Sequence, residues 1–491
     1  MIRIYIRFRN ITERLYFIPA YYGLLATALS LFLVFLDNNY VEILQKYIPA
    51  NFFTSVDIAK IILSTLAGSL FAMITVSFST IMVVLTMYSS QFSPRTMQDF
   101  LNSKVTLKVL GIFFAAFIYS ILTLLFLDDQ SGGDRQVFTS VIGVFIAIIC
   151  LAYFVYFIHH VASSVQVNIL IKKLRDEIIE IVDRIEEETE KDEQVQNDPP
   201  EHMEQMLSEE PYYIYSNQRG FIQSLDLKKL SDIAVENNLV IKAEKMIGDY
   251  VTENSKLLSI RPQEPFKFLL NNDLDLEQKS MKELKKDAKE IIMEKNCDSF
   301  NVKNGQKKID KISPEQFLKY IVIGNERSKK NDMEFGILKL TEVALKAISP
   351  GINDPNTAIF CINQLGWVLS RIAVSNIEST YHYDPNGQLK LIIEDISFQE
   401  LLYKTFFQIC HYGREDVSVL GAILDALLII AEGSPDDVQE ILWIFSHYVL
   451  EAFDISLLQL EDKKFLNYKL GRLAAETGKS KDYEFFQINE E

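Results

Sequence analysis

Six small or hydroxyl-bearing residues in an otherwise apolar stretch are the first whose types and spacing bear on chemistry. Ser64, Gly68, Ala72, Thr75, Ser79 and Thr86 fall within residues 58–88, and at 100° per residue they share an arc of about 80° on a helix. Such a stripe has two uses. Small residues let helix backbones approach while hydroxyls bond across the contact, or the hydroxyls line a path for an ion or small solute. Close packing is the plainer reading, because no ionisable side chain falls in the middle of the apolar stretches, Lys60 and His159 standing at their edges, and intramembrane charges usually mark a coupled pathway. Proton relay is disfavoured on the same ground.

A second constellation lies between two amphipathic stretches, at residues 347–358, Ala-Ile-Ser-Pro-Gly-Ile-Asn-Asp-Pro-Asn-Thr-Ala. Asp354 suits a helix N-cap and Pro355 the first turn. A glycine-containing loop aimed at a helix N-terminus can bind an anion through free amides and the dipole. Ser349, Gly351, Asn353 and Asp354 would form that candidate anion-binding loop, with Arg327, Lys329 and Lys330 near enough in sequence to add charge. The plainer reading is a tight connector between packed helices. Enzyme signatures are missing: there is no GxxxxGK[ST], HExxH, GxSxG or GxGxxG, and no identifiable carboxylate pair. The expectation is a non-enzyme with no cofactor and no metal. Cys150, Cys297, Cys361 and Cys410 stand far apart without Cys/His clustering, which reads as buried free thiols in a reducing compartment.

The elements that position these residues follow from hydropathy. A hydrocarbon core of about 30 Å needs about 20 apolar residues in a helix. Four stretches qualify, at 16–36, 58–88, 109–127 and 137–159, so residues 1–160 read as a four-helix transmembrane domain. The first is too long for a signal peptide and lacks a small-x-small cleavage site. Basic residues concentrate before it (Arg3, Arg7, Arg9, Arg14), around Arg95, Lys104 and Lys108, and at Lys172, Lys173 and Arg175. That bias, with outer loops at 37–57, poor in basic residues, and at 128–134, short and acidic, puts both termini in the cytoplasm. Between spans two and three, Ser93, Pro94 and Arg95 start an interfacial helix, a coupling elbow, on which Met97, Phe100 and Leu101 would face lipid. No Gly or Pro falls between Val144 and Pro199, so span four is expected to continue as a long helix through 161–190. Val167, Ile171, Leu174, Ile178, Ile181 and Ile185 would give it an apolar seam for an intersubunit coiled coil or for packing on the soluble domain.

Residues 191–211 read as an acidic linker and 212–262 as a small α/β module. In that module 220–225 and 239–243 read as strands around a helix capped by Asp226. The 248–251 and 256–258 segments look like half of a barrel-sandwich hairpin without a carrier Met-Lys pair. Residues 263–491 read as a helical domain, with amphipathic stretches near 274–292, 314–323, 333–348, 357–373 and 398–412, three more between Val417 and Thr477, and a turn at Asp384, Pro385, Asn386 and Gly387. The fold class is thus mainly α. Residues 1–160 carry +2 and the remainder −19, an acidity that disfavours nucleic acid as a partner.

Four segments arrive in a recognisable order: Gln91-Phe92-Ser93-Pro94-Arg95, 220–226 (GFIQSLD), 248–251 (GDYV) and 349–355 (SPGINDP). Over nearly its whole length the chain resembles the bacterial predicted membrane proteins grouped as domain of unknown function 2254. The resemblance implies a bacterial inner membrane location and assigns no reaction. One departure is Asn254-Ser255-Lys256-Leu257 where the family pattern has Gly-x-Pro-Leu. Together these readings lead to an oligomeric channel or permease-like protein in the bilayer, with Ser64, Gly68, Ala72, Thr75 and Ser79 as path and a cytoplasmic domain that gates it, with a small anion or a protein as that domain's partner. The alternative is a membrane-anchored sensor or scaffold without transport.

Overall fold

The computed structural model describes residues 17–101, 103–127, 136–190, 194–197, 199–200, 203, 207, 210–263, 303–304, 307–308, 313–328, 330–375, 378–452, 458–480 and 485–486. Expectations placed on Arg3 to Arg14, the 128–134 loop, Cys297, Lys329, a helix at 274–292 and much of the 191–211 linker lie outside these residues. The chain divides into two compact units, residues 1–170 and 171–491.

The first unit holds α1 (Phe17–Tyr47), the short strand β1 (Thr54–Ser55), α2 (Val56–Gln91), α3 (Pro94–Leu101), α4 (Lys104–Phe126), β2 (Gln136–Val137) and α5 (Thr139–Ser164). Strand β1 pairs with β2. Helix α1 runs past the expected end near residue 36 because Asn38, Asn39 and Tyr40 continue the helix despite their polarity. Asp37 is therefore inside a helix rather than in a loop. Phe100 also departs from expectation, being buried against the Tyr88 ring at 5.6 Å instead of facing lipid.

The expected continuous helix after span four is interrupted. Helix α5 stops at Ser164 and α6 (Val167–Glu190) starts after Val165 and Gln166. The Tyr88 hydroxyl donates to the Ser164 carbonyl at 2.6 Å, and the Gln166 amide turns back to Ser163 at 3.2 Å. A side chain thus takes a carbonyl that the helical ladder would need, so the break requires neither Gly nor Pro.

The second unit is an α/β assembly. Ile171, Leu174, Ile178 and Ile181 are buried in it, and Gly336 lets its helix approach Ile178. The seam of α6 therefore packs within this unit. Helix α7 (Leu227–Glu236) is capped by Asp226, whose side chain accepts from the Lys229 amide. A six-stranded sheet orders β3 (Val195–Gln196), β12 (Ser379–Tyr383), β13 (Leu389–Glu394), β6 (Leu239–Ala243), β8 (Lys256–Pro262) and β4 (Tyr212–Tyr215). Only β13 with β6 is parallel. A three-stranded antiparallel sheet places β5 (Gly220–Leu225) between β11 (Ile321–Gly324) and β7 (Tyr250–Val251). Residues 303–304 and 307–308 pair as β9 (Lys303–Asn304) and β10 (Lys307–Lys308).

This corrects two expectations. The 263–491 region is not wholly helical, since β11, β12 and β13 arise in it and complete sheets begun by the 212–262 module. Strands β7 and β8 lie in different sheets and do not form a hairpin with each other. The short α8 (Glu315–Leu318) is followed by α9 (Met333–Ala347), α10 (Pro355–Ser375), α11 (Phe398–Gly413), α12 (Val417–Ala431), α13 (Asp436–Glu451) and α14 (Leu460–Glu476). Among the described residues, five helices are long and apolar enough to cross a membrane: Phe17–Val41, Val56–Gln91, Val105–Phe126 and Thr139–Ser164 in the first unit, and Pro355–Ser375 in the second.

Helix α10 touches α12 backbone to backbone at Gly366, where a Cβ would lie 2.9 Å from the Ala426 Cβ and 3.0 Å from its Cα. Gly366→Ala must push the two helices apart. A loss of about 1–3 kcal/mol is expected, read as a lowered thermal midpoint. Gly351→Ala is the control and should leave the midpoint unchanged, because nothing lies within 4 Å of that position.

Candidate functional site

Helix α2 has two faces of different character. Ala59, Leu63, Ala67, Leu70, Ile74, Ser77, Ile81, Val84 and Tyr88 are buried in the first unit. Ser64, Gly68, Ala72, Thr75, Ser79 and Thr86 all lie on the exposed face, so the stripe does not pack against its own bundle. Its hydroxyls turn inward on the helix: Ser64 donates to Ile61 at 3.0 Å, Thr75 to Phe71 at 3.0 Å and Thr86 to Met82 at 2.9 Å, each to a backbone carbonyl. These three donors are thereby satisfied, and at Ser64, Thr75 and Thr86 the oxygen lone pairs face outward. A groove of about 700 Å³ crosses the stripe at Thr75 and Ser79 between Phe71, Phe78, Met82 and Phe114.

The bundle interior carries a polar seam that the sequence reading missed. The Ser30 and Thr123 hydroxyls lie 2.9 Å apart, Tyr119 donates to the Thr139 carbonyl at 2.8 Å, and Thr54 meets Ser140 at 2.6 Å. Asp37, 3 % exposed, accepts from the Phe138 amide at 3.1 Å and the Thr139 amide at 3.0 Å. One carboxylate therefore does lie within an apolar helix, and it caps the N-terminus of α5 from outside that helix. The available signal was spacing: Ser30 and Asp37 are seven apart on α1, and Tyr119 and Thr123 four apart on α4, so each pair shares a face.

At the elbow, Ser93 is buried and its hydroxyl accepts from the Arg95 amide at 3.2 Å, while Pro94 opens α3. The Phe92 and Phe100 rings pack on Tyr88 at 5.1 and 5.6 Å. Tyr88 thus joins α2, α3 and the end of α5 in one cluster.

The 349–355 loop is closed on itself. The Ile352 and Asn353 amides both bond the Ser349 carbonyl at 2.9 Å, and the Asp354 amide bonds Ala347 at 2.9 Å. The Asp354 carboxylate takes the Thr357 amide at 3.1 Å and the Thr357 hydroxyl at 2.6 Å. Asn353 adopts a left-handed φ of 51°, a conformation asparagine tolerates well. With these amides used and a carboxylate already on the helix N-terminus, the loop is a built connector. Arg327 is not there. It sits at the start of α9, which puts it about 20 Å from the loop at the other end of that 15-residue helix.

Arg327 instead organises a polar cluster. Its guanidinium grips Asp332 through two bonds of 2.7 Å and Glu334 through one of 2.8 Å. Asp332 also caps α9 through the Phe335 amide, and Lys404 on α11 reaches Glu334 at 3.0 Å. Gly248, at φ 96°, lies so close over the pair that a Cβ would meet the Arg327 Nη2 at 2.6 Å and Asp332 Oδ2 at 2.7 Å. Burial alone would raise the Glu334 carboxyl, but its bonds to Lys404 and Arg327 outweigh this and hold it below the ordinary range. Asp395 goes the other way. Surrounding protein, together with Glu334, Asp249 and Asp332, pushes it up to about 6 against one opposing bond from the Ile396 amide, although water still reaches its side chain.

Among the described residues no group of three His, Cys, Asp or Glu side chains is placed to hold a metal ion. Cys150, Cys361 and Cys410 are buried thiols.

A family model described as predicted membrane protein (DUF2254) matches residues 12–428. The chain belongs to this family. It is also 25 % identical over 386 residues to an uncharacterised protein of Mycobacterium bovis and to another of Mycobacterium tuberculosis, a match covering 77 % of this chain. The chain spans 64 % of the length of these curated bacterial relatives. No solved structure matches it.

Two outcomes follow from the Arg327 cluster. Asp332→Ala leaves a half-buried guanidinium short of its bidentate partner and removes the cap of α9, and should cost about 3 kcal/mol, whereas Lys464→Ala, in an exposed pair with Glu461, should cost less than about 1 kcal/mol. Denaturant titration of the two variants checks this. Because folding raises the Asp395 pKa, the protonated form stabilises the fold at low pH, and that contribution is lost as pH rises from the ordinary carboxylate range through about 6. Asp395→Asn should therefore raise the thermal midpoint at pH 7.5 and the gain should shrink toward pH 4.5. An equal shift at both values would contradict the assignment.

Proposed function

We propose that this membrane protein is an oligomeric channel or permease-like protein in which α2 supplies a shared polar path and the soluble unit regulates it. The observation that carries this reading is the placement of Ser64, Gly68, Ala72, Thr75 and Ser79 on the one face of α2 that its own bundle leaves uncovered. The Ser64 and Thr75 hydroxyls, with their protons already donated to their own helix, present acceptor oxygens outward, which suits transient coordination of a cation or of a hydroxylated solute. In this proposal four of the five apolar helices cross the bacterial inner membrane. Pro355–Ser375 stays outside, since Arg371 on it pairs with Asp183 at 3.1 Å and Glu186 at 2.9 Å. The basic residues flanking the spans support cytoplasmic termini, and the role is transport rather than catalysis.

One observation favours the second reading, a membrane-anchored sensor or scaffold. Hydroxyls bonded to their own helix can face lipid at little cost, so the stripe tolerates an exposed position without conducting anything. Flux separates the readings. Vesicles reconstituted with the full chain should pass at least one of potassium, chloride and glycerol, and Ser79→Leu should cut that flux tenfold or more while leaving the thermal midpoint unchanged. Flux that survives Ser79→Leu removes α2 as the path. Folded protein that passes none of the three leaves the anchored sensor.

A further inference from the structure

The second unit contains an open cleft of about 600 Å³ where α6, α10, α12 and α14 converge. Its volume falls in the ordinary range of small-molecule sites, about 300–1,000 Å³. Trp367 forms one wall and is 41 % exposed. The Arg175 guanidinium lies 5.1 Å from the centre of its ring, oriented by a bond of 2.8 Å to the Gln364 side-chain oxygen. A planar cation held against an indole makes a flat platform on which a further aromatic ring can stack.

The opposite wall is charged. Lys469 pairs with Asp425 at 2.5 Å, and its stem runs beside Gly421, where a Cβ would meet it at 3.3 Å. Three residues further along α14, on the same helix face, Arg472 is exposed and has no ion-pair partner among the described residues. Glu432, at the end of α12, faces the same cleft. Arg175 is also paired with Asp176 at 2.6 Å and Lys469 with Asp425, so Arg472 is the cation of this cleft left to meet an anionic group. The two carboxylates in the lining argue against a polyanion and suit hydroxyl or amine donors.

We propose that this cleft binds a purine nucleoside monophosphate. The base stacks on the Trp367–Arg175 platform, the single phosphate meets Arg472, and Glu432 accepts from ribose hydroxyls. Arg175 and Trp367 lie within residues 12–428, the part that matches the family, whereas Glu432, Lys469 and Arg472 lie beyond it. The site stands whether or not the membrane unit conducts.

The chain has two tryptophans, so Trp443→Phe leaves Trp367 as the sole reporter. Titrating full-length Trp443→Phe protein with adenosine or guanosine 5′-monophosphate should give saturable quenching of its fluorescence. Equilibrium dialysis of the unmodified chain against the same radiolabelled nucleotides should show one site, weakened at least tenfold by Arg472→Ala, a surface change that spares the fold. Absence of saturable binding to both nucleotides in dialysis overturns the proposal. So does equal binding of inorganic phosphate, which would make the cleft a simple anion site. Quenching by phosphatidylglycerol nanodiscs that neither nucleotide reverses would assign it to a lipid headgroup instead.

Discussion

Inside a hydrocarbon layer a polar group has only the protein to bond to, and this constraint shapes the first unit more than any single contact. Asp37 meets it by receiving amides at the start of α5, where the helix dipole also favours its charge. Tyr119, Thr123 and Ser30 meet it by bonding between helices. Ser64, Thr75 and Thr86 along α2 meet it alone, each returning its proton to a carbonyl of its own helix. These solutions differ in consequence. Groups bonded between helices fix the bundle, whereas groups bonded within α2 leave that face available to a neighbour, to lipid or to a solute. Tyr88 adds a further case. By taking the Ser164 carbonyl it ends α5 and holds the elbow rings in the same cluster.

The second unit depends on a different balance. Arg327, Asp332, Glu334 and Lys404 are drawn together from a loop, the start of α9 and the middle of α11. Removing charges from water is costly, and the cost is offset here by bidentate geometry and by the additional capping bond that Asp332 makes to α9. Glycine at 248 is needed because any side chain would occupy the space of the guanidinium. The sheets show the same dependence on distant segments, since β5 and β6 obtain neighbours from strands more than 90 residues further along the chain.

Much of this was legible in the sequence, and what was not has physical reasons. Apolar runs of about 20 residues located α1, α2, α4 and α5 in the first unit, and the amphipathic periods at 333–348, 357–373 and 398–412 located α9, α10 and α11. The end of α1 was missed because Asn38, Asn39 and Tyr40 break hydropathy without breaking a helix. Strand β11 falls in a stretch whose pattern predicts helix, because Ile321, Val322 and Ile323 form a short apolar run that periodicity cannot assign to either class. The turn at Asp384 and Gly387 was visible, yet its identity as the tip of the β12–β13 hairpin depends on pairing with β6. At the candidate sites, stripe membership was legible and stripe exposure was not. The convergence of Arg175, Trp367 and Arg472 joins positions almost 300 residues apart, and no local pattern announces it.

In the proposed channel, the small and hydroxyl face of α2 is the surface on which copies of this chain meet around a shared path. Single-particle imaging of the detergent-purified full-length protein tests it most directly, by reading which helices surround the symmetry axis. A closed ring with Ser64, Thr75 and Ser79 of every copy turned toward the axis is the predicted result. A monomer, or a dimer whose α2 stripes face detergent, would contradict the claim and leave the membrane helices as an anchor.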